Sequence, residues 1–432
     1  MNFYKKIIVA ACAVIVAAII GAAAYYLNNS TTDSEFVFPD NFKIENVSIG
    51  GLSGAKARKK LSKYITAVPK RISLRVSSSN GTYAFTQSNF RFVIDYTATV
   101  ERAKDFSLGN PFGTEGELVY RVQPQSVNDT VKTLAKKVER KPINAEVVRF
   151  RPFKKNRLVI KNEENGLKID KKDLINKLIS AIDRGENTEI TVSETILTPK
   201  IKKSDYKSIK KLSSQKSYSY NTINGTENMR IALRSCNGSI IKPGRVWSFN
   251  QCTGNSNSEK NGYKKAEVIL RKKLTRGVGG GICQASTTIF RAAVLGNLEI
   301  EERHNHHWAS GYTYSGEDAT IDYPNLDLKL RNRSKLPVFI ESRLVGRTLE
   351  VNIYGAKSEN YDIIKMCSKN YDIKYGQSFR TKTIRVFYKR KKAVKKEVVC
   401  YSFYSLSDNH GVRAEDEGTF SVRKTVSKRK NN

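Results

Sequence analysis

The chain has 432 residues, of which 39% are hydrophobic and 27% are charged. About 400 residues remain beyond an apolar N-terminal segment, which suffices for two or three domains with full cores. Lysine and arginine outnumber aspartate and glutamate by 76 to 41, which gives a formal net charge of +35. This balance favours an anionic matrix over nucleic acid as a partner, unless the basic side chains only form solvated surfaces.

The N-terminal segment predicts a membrane anchor. Lys5 and Lys6 precede an unbroken apolar run from Ile7 to Leu27, which is long enough to cross a bilayer as a helix. No basic residue follows before Lys43, so we expect cytoplasmic lysines and an extracytoplasmic remainder. A cleaved signal peptide is the alternative, although the run exceeds a usual signal core. The expected localisation is the cell membrane, single-pass, with the C-terminal domains facing the cell wall.

Residues 41–203 predict an α+β domain made of two strand–helix–strand halves. In the first half, a helical pattern from Ala57 to Ile65 follows Ser53 as a plausible N-cap. In the second half, Asp170 caps a well-marked helix that Gly185 ends. The predicted strands surround Leu74, Ile160 and Ile190. The region contains no histidine and no cysteine, so binding or spacing is its expected role.

A lysine-rich stretch, residues 200–216, marks the predicted end of that domain. Beyond it, short alternating strands are predicted around Leu328, Val338 and Val351. The complete predicted order is a membrane anchor (1–28), a stalk (29–40), the α+β domain (41–203), a β-rich domain with a helix after a glycine-rich cysteine loop (217–355), and a β-rich extension with a basic tail (356–432).

Five cysteines lie beyond the predicted anchor, and an odd number in an exported protein leaves at least one free thiol. Disulfides Cys236–Cys252 and Cys367–Cys400 are consistent with the sequence, which does not fix them. All five thiols are equally compatible with a reduced state. Cys283 is the candidate free thiol.

Cys283 follows the glycine-rich segment Gly277–Gly281 and precedes a helical pattern that ends at Gly296. A cysteine at a helix N-terminus meets the positive end of the helix dipole and free amides, which favour thiolate over thiol. Those amides, with those of Gly280 or Gly281, are suited to stabilise an oxyanion. The pattern therefore predicts a nucleophile for acyl transfer.

Three of the four histidines in the chain are His304, His306 and His307. If the strand that begins at Leu298 continues, His304 and His306 project from one face, and one of them is the expected general base. Asp318 is the candidate third member that fixes the imidazole tautomer. The expected carboxylate-binding or substrate-packing groups are Arg303, Tyr312 and Tyr314.

Two other interpretations of these residues stay open. Cys283 can be an inert packed cysteine, because a buried cysteine with glycine neighbours is usually structural. His304 and His306 can also ligate zinc with Cys283, although no fourth ligand suggests itself by spacing. The preferred interpretation needs no metal and no cofactor.

The region from about Ser217 to Gly355 resembles the VanW domain. The resemblance is carried by Lys242–Asn250, Gly262–Tyr263 with Ala266, Gly277–Thr288, Glu302–His306, Asp318–Thr320, Leu326–Lys329 and Arg331–Asn332. The preceding region looks like the peptidoglycan-binding-type domain that often accompanies VanW domains, on the segment Val47–Ser53.

The resemblance implies peptidoglycan L,D-transpeptidation in a Gram-positive wall, with a cysteine acyl-enzyme on Cys283 and cross-links between diaminopimelate residues. It implies substrate contacts at Gly280, Gly281, Gln284 and Ser286. The implied partners are peptidoglycan stem peptides, anionic wall polymers and, through the N-terminal helix, the cytoplasmic membrane; nucleic acid is not expected. A cysteine peptidase acting on stem peptides and a non-catalytic wall-binding scaffold are the alternatives.

Overall fold

The computed structural model describes residues 36–68, 72–270 and 273–405. The chain divides into two compact units. The first unit comprises the described residues up to Pro142 together with Asn165–Thr198, and the second comprises Ile143–Glu164 and the described residues from Pro199 onward. Each unit mixes helices and strands.

The predicted membrane anchor is corrected by the structure. Among the described residues, no helix combines the length and apolar character needed to cross a membrane. The longest of these helices has 15 residues and extends about 22 Å, which is shorter than the roughly 30 Å hydrocarbon core of a bilayer. The predicted fold class is therefore wrong in its membrane-spanning helix, and the single-pass membrane localisation is not supported. Residues 1–28, on which both predictions rested, lie outside the described residues.

Among the described residues before position 200, the elements are mostly short strands around four helices. The helices are α1 (Gly54–Tyr64), α2 (Tyr96–Gly109), α3 (Pro124–Val138) and α4 (Lys171–Arg184). The strands are β1 (Lys43–Ile44), β2 (Val47–Ser48), β3 (Ser73–Ser78), β4 (Gly81–Thr86), β5 (Phe92–Ile94), β6 (Glu115–Gly116), β7 (Tyr120–Val122), β8 (Glu146–Phe150), β9 (Leu158–Lys161), β10 (Gly166–Ile169), β11 (Glu189–Thr191) and β12 (Glu194–Leu197). All of them except the β8–β9 hairpin belong to the first unit.

The two helices that the sequence predicted for this region are confirmed as α1 and α4. The Asp170 carboxylate accepts a hydrogen bond from the Asp173 amide at 3.0 Å, and Gly185 ends α4 in the left-handed region with φ 66°. Helices α2 and α3 were not predicted. The buried face of α2 includes Thr99 and Ser107, so its apolar periodicity is weak.

The second unit continues with three helices and further strands. The helices are α5 (Ile223–Cys236), α6 (Phe249–Thr253) and α7 (Ile282–Leu295). The strands are β13 (Ile209–Tyr218), β14 (Ile240–Ile241), β15 (Val246–Ser248), β16 (Lys265–Leu270), β17 (Lys273–Val278), β18 (Glu299–Glu302), β19 (Lys329–Arg331), β20 (Val338–Val345), β21 (Thr348–Ala356), β22 (Ile363–Lys374), β23 (Ser378–Lys389) and β24 (Lys392–Ser405).

Helices α5 and α7 form the core of the second unit with a four-stranded sheet in the order β13-β21-β20-β14. Leu233, Ile289 and Ile353 are fully buried in this core. Strand β13 lies largely in the lysine-rich stretch predicted as a boundary, and it pairs antiparallel with β21. The β8–β9 hairpin joins the same unit, where the Phe150 and Phe339 rings lie 4.9 Å apart.

The last three strands form a separate antiparallel sheet in the order β22-β23-β24. Burial alternates along β24, where Cys400, Ser402 and Tyr404 are buried and Tyr401 is exposed. One face of this sheet therefore packs against the rest of the second unit, while the other face is exposed to solvent. The predicted basic tail, residues 406–432, lies outside the described residues.

Candidate active site

The glycine-rich loop is built for close backbone contact. Gly279 and Gly281 have φ values of 86° and 92°, a conformation that side-chain-bearing residues rarely adopt. A Cβ atom at Gly280 would lie 2.3 Å from the Glu267 carbonyl oxygen. The buried Asn228 amide donates a 2.9 Å hydrogen bond to the Gly280 carbonyl and fixes the loop to α5. This packing sets where α7 begins.

Cys283 is the second residue of α7, so it lies at the positive end of the helix dipole. Its side chain is half-buried. The sulfur lies 3.4 Å from the Thr320 hydroxyl and 3.7 Å from the Ile321 carbonyl oxygen. The prediction of a helix that starts at this cysteine and ends at Gly296 is confirmed.

His306 is buried beside a carboxylate. Its ring is fully buried, and Nδ1 lies 2.7 Å from Asp318 Oδ2. Burial by itself lowers the pKa of His306, but hydrogen bonds and charge from Asp318 and Cys283 outweigh it and raise the pKa well above its usual value. The imidazole is therefore oriented by the carboxylate, and the Cys283 thiol contributes to its raised pKa.

Asp318 is a buried carboxylate whose two oxygens are both occupied. Oδ2 accepts hydrogen bonds from the backbone N–H and the ring of His306, and Oδ1 accepts from Arg303 Nη2 at 2.7 Å and from the Tyr404 hydroxyl. Burial raises the pKa of Asp318, but Arg303, His306 and Tyr404 together lower it well below its usual value. Arg303 is itself fully buried and donates to the Ser402 hydroxyl at 2.7 Å.

His304 has a different environment from His306. Strand β18 ends at Glu302, and His304 Nε2 lies 3.0 Å from Glu302 Oε1. The strand therefore does not run on into His304, which instead forms an isolated antiparallel bridge with Thr320. His306 is the histidine whose pKa is raised by Asp318 and by Cys283.

Several predicted substrate contacts are used inside the protein. The Gln284 side-chain amide donates to the Tyr218 carbonyl at 2.9 Å, and the Ser286 hydroxyl donates to the Ala319 carbonyl. Gly280 and Gly281 are buried, as is Arg303. These contacts hold the loop, the helix and the Asp318 segment in place, which supports a positioning role for them.

Tyr312 lies closer to the reactive groups. Its hydroxyl is 3.5 Å from His306 Nε2, and its side chain is half-buried. Tyr314 is 74% exposed and contributes little to the buried cluster. Tyr312 is therefore the predicted substrate-contacting residue that the structure places beside the imidazole.

Sequence reasoning missed Thr320, Ser402 and Tyr404. Thr320 contacts the sulfur, and the other two support Arg303 and Asp318 from β24. Alternation along β24 signals a half-buried strand, but nothing local indicates which groups its inward face meets.

All five described cysteines are free thiols. Cys236 is buried and Cys252 is half-buried. Interaction with Cys236 is the main cause that lowers the pKa of Cys252 to about 7, while burial raises the pKa of Cys236. Both are free thiols, so the Cys236–Cys252 disulfide that the sequence left open is not formed.

The first unit contains a cleft of about 670 Å³. Its lining combines aromatic rings of Tyr83 and Phe85 with the side chains of Arg91, Gln123 and Lys137. Such a mixture of apolar area and a few polar groups is typical of ligand clefts.

Comparison with known proteins finds family matches in two regions of the chain. Residues 224–354 match the family described as VanW like protein, and residues 83–191 match the family described as putative peptidoglycan binding domain. The chain is 28% identical to the uncharacterized protein YoaR of Bacillus subtilis over 275 residues, which are 62% of this chain and 85% of that relative.

A second relative is the vancomycin B-type resistance protein VanW of Enterococcus faecalis. It is 33% identical over 110 residues, which are 24% of this chain and 40% of the relative. No solved structure matches the chain significantly. The matches support a cell-wall-associated protein, and they confirm the predicted resemblance: the chain carries a VanW-like domain preceded by a peptidoglycan-binding-type domain.

Proposed function

We propose that the protein is a peptidoglycan L,D-transpeptidase that forms cross-links between diaminopimelate residues through an acyl-enzyme on Cys283. The observation that carries this proposal is that one short segment joins the three groups: Thr320 contacts the Cys283 sulfur at 3.4 Å, and Asp318, two residues earlier, lies 2.7 Å from the ring of His306. A nucleophile beside a base, with the base oriented by a third group, is the arrangement that acyl transfer requires.

In the first step, the Cys283 thiolate attacks the carbonyl carbon between an L-centre and the terminal D-alanine of a stem peptide. His306 holds the thiol proton and donates it to the departing amine, so D-alanine leaves and a thioester remains. The raised pKa of His306 suits this role, because an imidazolium beside sulfur stabilises the thiolate. Asp318 keeps Nδ1 protonated and Nε2 available for transfer.

In the second step, the side-chain amine of a neighbouring stem peptide attacks the thioester. His306 takes a proton from that amine, the new amide bond forms, and the Cys283 thiolate leaves. Cys283 is only half-buried, which supports access of an incoming chain to it. The backbone amides of Gly281 and Cys283, at the start of α7, are the proposed donors to the oxyanion in both steps, since the Ile282 amide already donates to the Gly279 carbonyl.

The first unit would hold the peptidoglycan on which the second acts. Its family match supports binding of cell-wall peptidoglycan. The cleft lined by Tyr83, Arg91 and Lys137 is the proposed binding site, because rings pack against sugar or peptide while cations pair with stem-peptide carboxylates.

Product analysis tests the proposed reaction. The full-length protein would be incubated with disaccharide-tetrapeptide, and the products would be separated and weighed by mass spectrometry. A transpeptidase releases D-alanine and forms cross-linked dimers, and Cys283→Ala forms none. Release of D-alanine with only tripeptide products would instead identify a cysteine peptidase, in which water accepts the acyl group. Unchanged dimers with Cys283→Ala would reject catalysis at this cysteine.

A further inference from the structure

The outer face of the β22-β23-β24 sheet carries a concentrated basic and aromatic surface. We define this basic–aromatic patch by its neighbouring positions on the three strands, which are Lys369, Tyr371, Arg380, Lys382, Tyr401 and Phe403. The patch begins beyond the VanW-like match, which ends at residue 354. Neither the proposed reaction nor either family match assigns it a role.

Two lysines in the patch occupy directly opposed positions. Lys369 on β22 pairs with Lys382 on β23, and both side chains are exposed. Cβ atoms of opposed residues lie about 5 Å apart, and like charges at such positions are destabilising. Among the described residues, neither lysine forms an ion pair with an acidic side chain. Their opposition therefore costs stability in the free protein.

The neighbouring side chains add to the positive field. Arg380 forms an ion pair with Asp372 at 3.1 Å and lies over the Phe403 ring, and Lys382 Nζ lies 5.7 Å from the Tyr401 ring centroid. Asp372 is the one acidic group that contacts a cation of the patch in the described part of the sheet. Tyr401 is 46% exposed, so ring area remains beside the cations.

The two faces of this sheet have different surroundings. The inward-facing Ser402 and Tyr404 support Arg303 and Asp318, whereas Lys369 and Lys382 point to solvent. Substitutions on the outer face therefore leave the contacts of the candidate active site in place.

We propose that the basic–aromatic patch binds a linear wall polymer whose repeating anionic group is a phosphodiester. One phosphate accepts hydrogen bonds from the opposed Lys369 and Lys382, which removes their repulsion, and the rings pack against the polyol or sugar between phosphates. Lysine suits phosphate as a compact charge, while the arginine of the patch already holds a carboxylate. This proposal deepens the proposed function, since it rests on the chain acting at the cell wall.

Binding of the full-length protein to synthetic poly(glycerol phosphate) tests the proposal. Lys369→Gln/Lys382→Gln should weaken binding by at least about tenfold at low salt and lower the slope of log affinity against log salt by about 1.5. The matched control, Lys154→Gln/Lys155→Gln, removes two exposed charges from the same unit and should change affinity less than about twofold. Equal losses of affinity in the two double variants would reject the proposal that the patch binds the polymer.

Two further ligands distinguish which chemical class of polymer the patch binds. Poly-L-glutamate of matched charge should bind more weakly than the phosphodiester polymer, and equal binding would reject phosphodiester recognition. Tighter, patch-dependent binding of single-stranded DNA would identify a nucleic-acid surface instead. The Lys369→Gln/Lys382→Gln protein should melt no lower than wild type, because repulsion is removed. The Lys369→Gln/Lys382→Gln protein should still be acylated at Cys283, and the Cys283→Ala protein should still bind the polymer. Failure of the polymer-binding proposal can therefore be distinguished from failure of the proposed reaction.

Discussion

The Tyr404 hydroxyl donates a hydrogen bond to Asp318 Oδ1, although the two residues are 86 positions apart in the chain. Tyr404 lies on the last described strand, well beyond the VanW-like match that contains Asp318. The burial of Tyr404 and the nearby negative charge of Asp318 raise the pKa of Tyr404 well above its usual value, so the hydroxyl stays a donor. The C-terminal sheet is therefore part of the structure that orients the imidazole.

Replacing Tyr404 by phenylalanine should weaken that support. Asp318 keeps its bonds to Arg303 and His306 but loses one buried donor, which should cost about 1–3 kcal/mol of unfolding free energy. Urea denaturation measures the loss, and the rate of Cys283 alkylation by iodoacetamide should fall with it. Tyr401→Phe, on the exposed face of the same strand, should alter neither quantity. If Tyr404→Phe and Tyr401→Phe gave the same unfolding free energy and the same alkylation rate, the proposed support of Asp318 by Tyr404 would be rejected.

The glycine loop should tolerate a methyl group poorly. Gly280→Ala places Cβ 2.3 Å from the Glu267 carbonyl, so the loop must shift, at a cost of about 1–3 kcal/mol. Displacement of the start of α7 should also slow alkylation of Cys283. Gly311→Ala is the matched control, because no atom lies within 4 Å of a Cβ atom there. Thermal melting with peptide-resolved alkylation checks both changes, and a harmless Gly280→Ala would refute the steric account.

The raised pKa of His306 makes part of the stability depend on pH. Protonation of His306 stabilises the folded protein fully below its unfolded-state pKa, about 6.5, and this stabilisation disappears as pH rises through the higher folded-state value. In a Cys283→Ala background, His306→Gln should lower the melting temperature most near pH 6. The difference in melting temperature between the two proteins should become smaller as pH rises. A difference that grows with pH would contradict the raised pKa of His306.

The interaction between Cys236 and Cys252 should be visible in the pH dependence of thiol alkylation. Cys236 is the largest cause of the lowered pKa of Cys252, so Cys236→Ala should raise the pH midpoint of Cys252 alkylation above about 7. Mass spectrometry of the labelled peptide follows this site separately from Cys283 and Cys367. Cys400→Ala, which removes a buried thiol from β24, serves as the control. An unchanged midpoint in Cys236→Ala would show that the two thiols do not interact.

Local signals predicted the start of α7 well. The glycines that permit positive φ precede Cys283 directly, and Gly296 follows the helix at the expected distance. The sequence did not distinguish His304 from His306, because their partners are set by tertiary structure: His304 contacts Glu302, and His306 contacts Asp318. Ser402 and Tyr404 were missed because their contacts join positions 99 and 86 residues apart, which no local pattern indicates.

Direct detection of the thioester tests the central claim most closely. Full-length protein would be mixed with disaccharide-tetrapeptide, quenched in acid and mapped by mass spectrometry. We expect an adduct on Cys283 with the mass of the substrate minus alanine, and no adduct in Cys283→Ala. An adduct on another residue, or dimer formation without any acylated Cys283, would contradict the account.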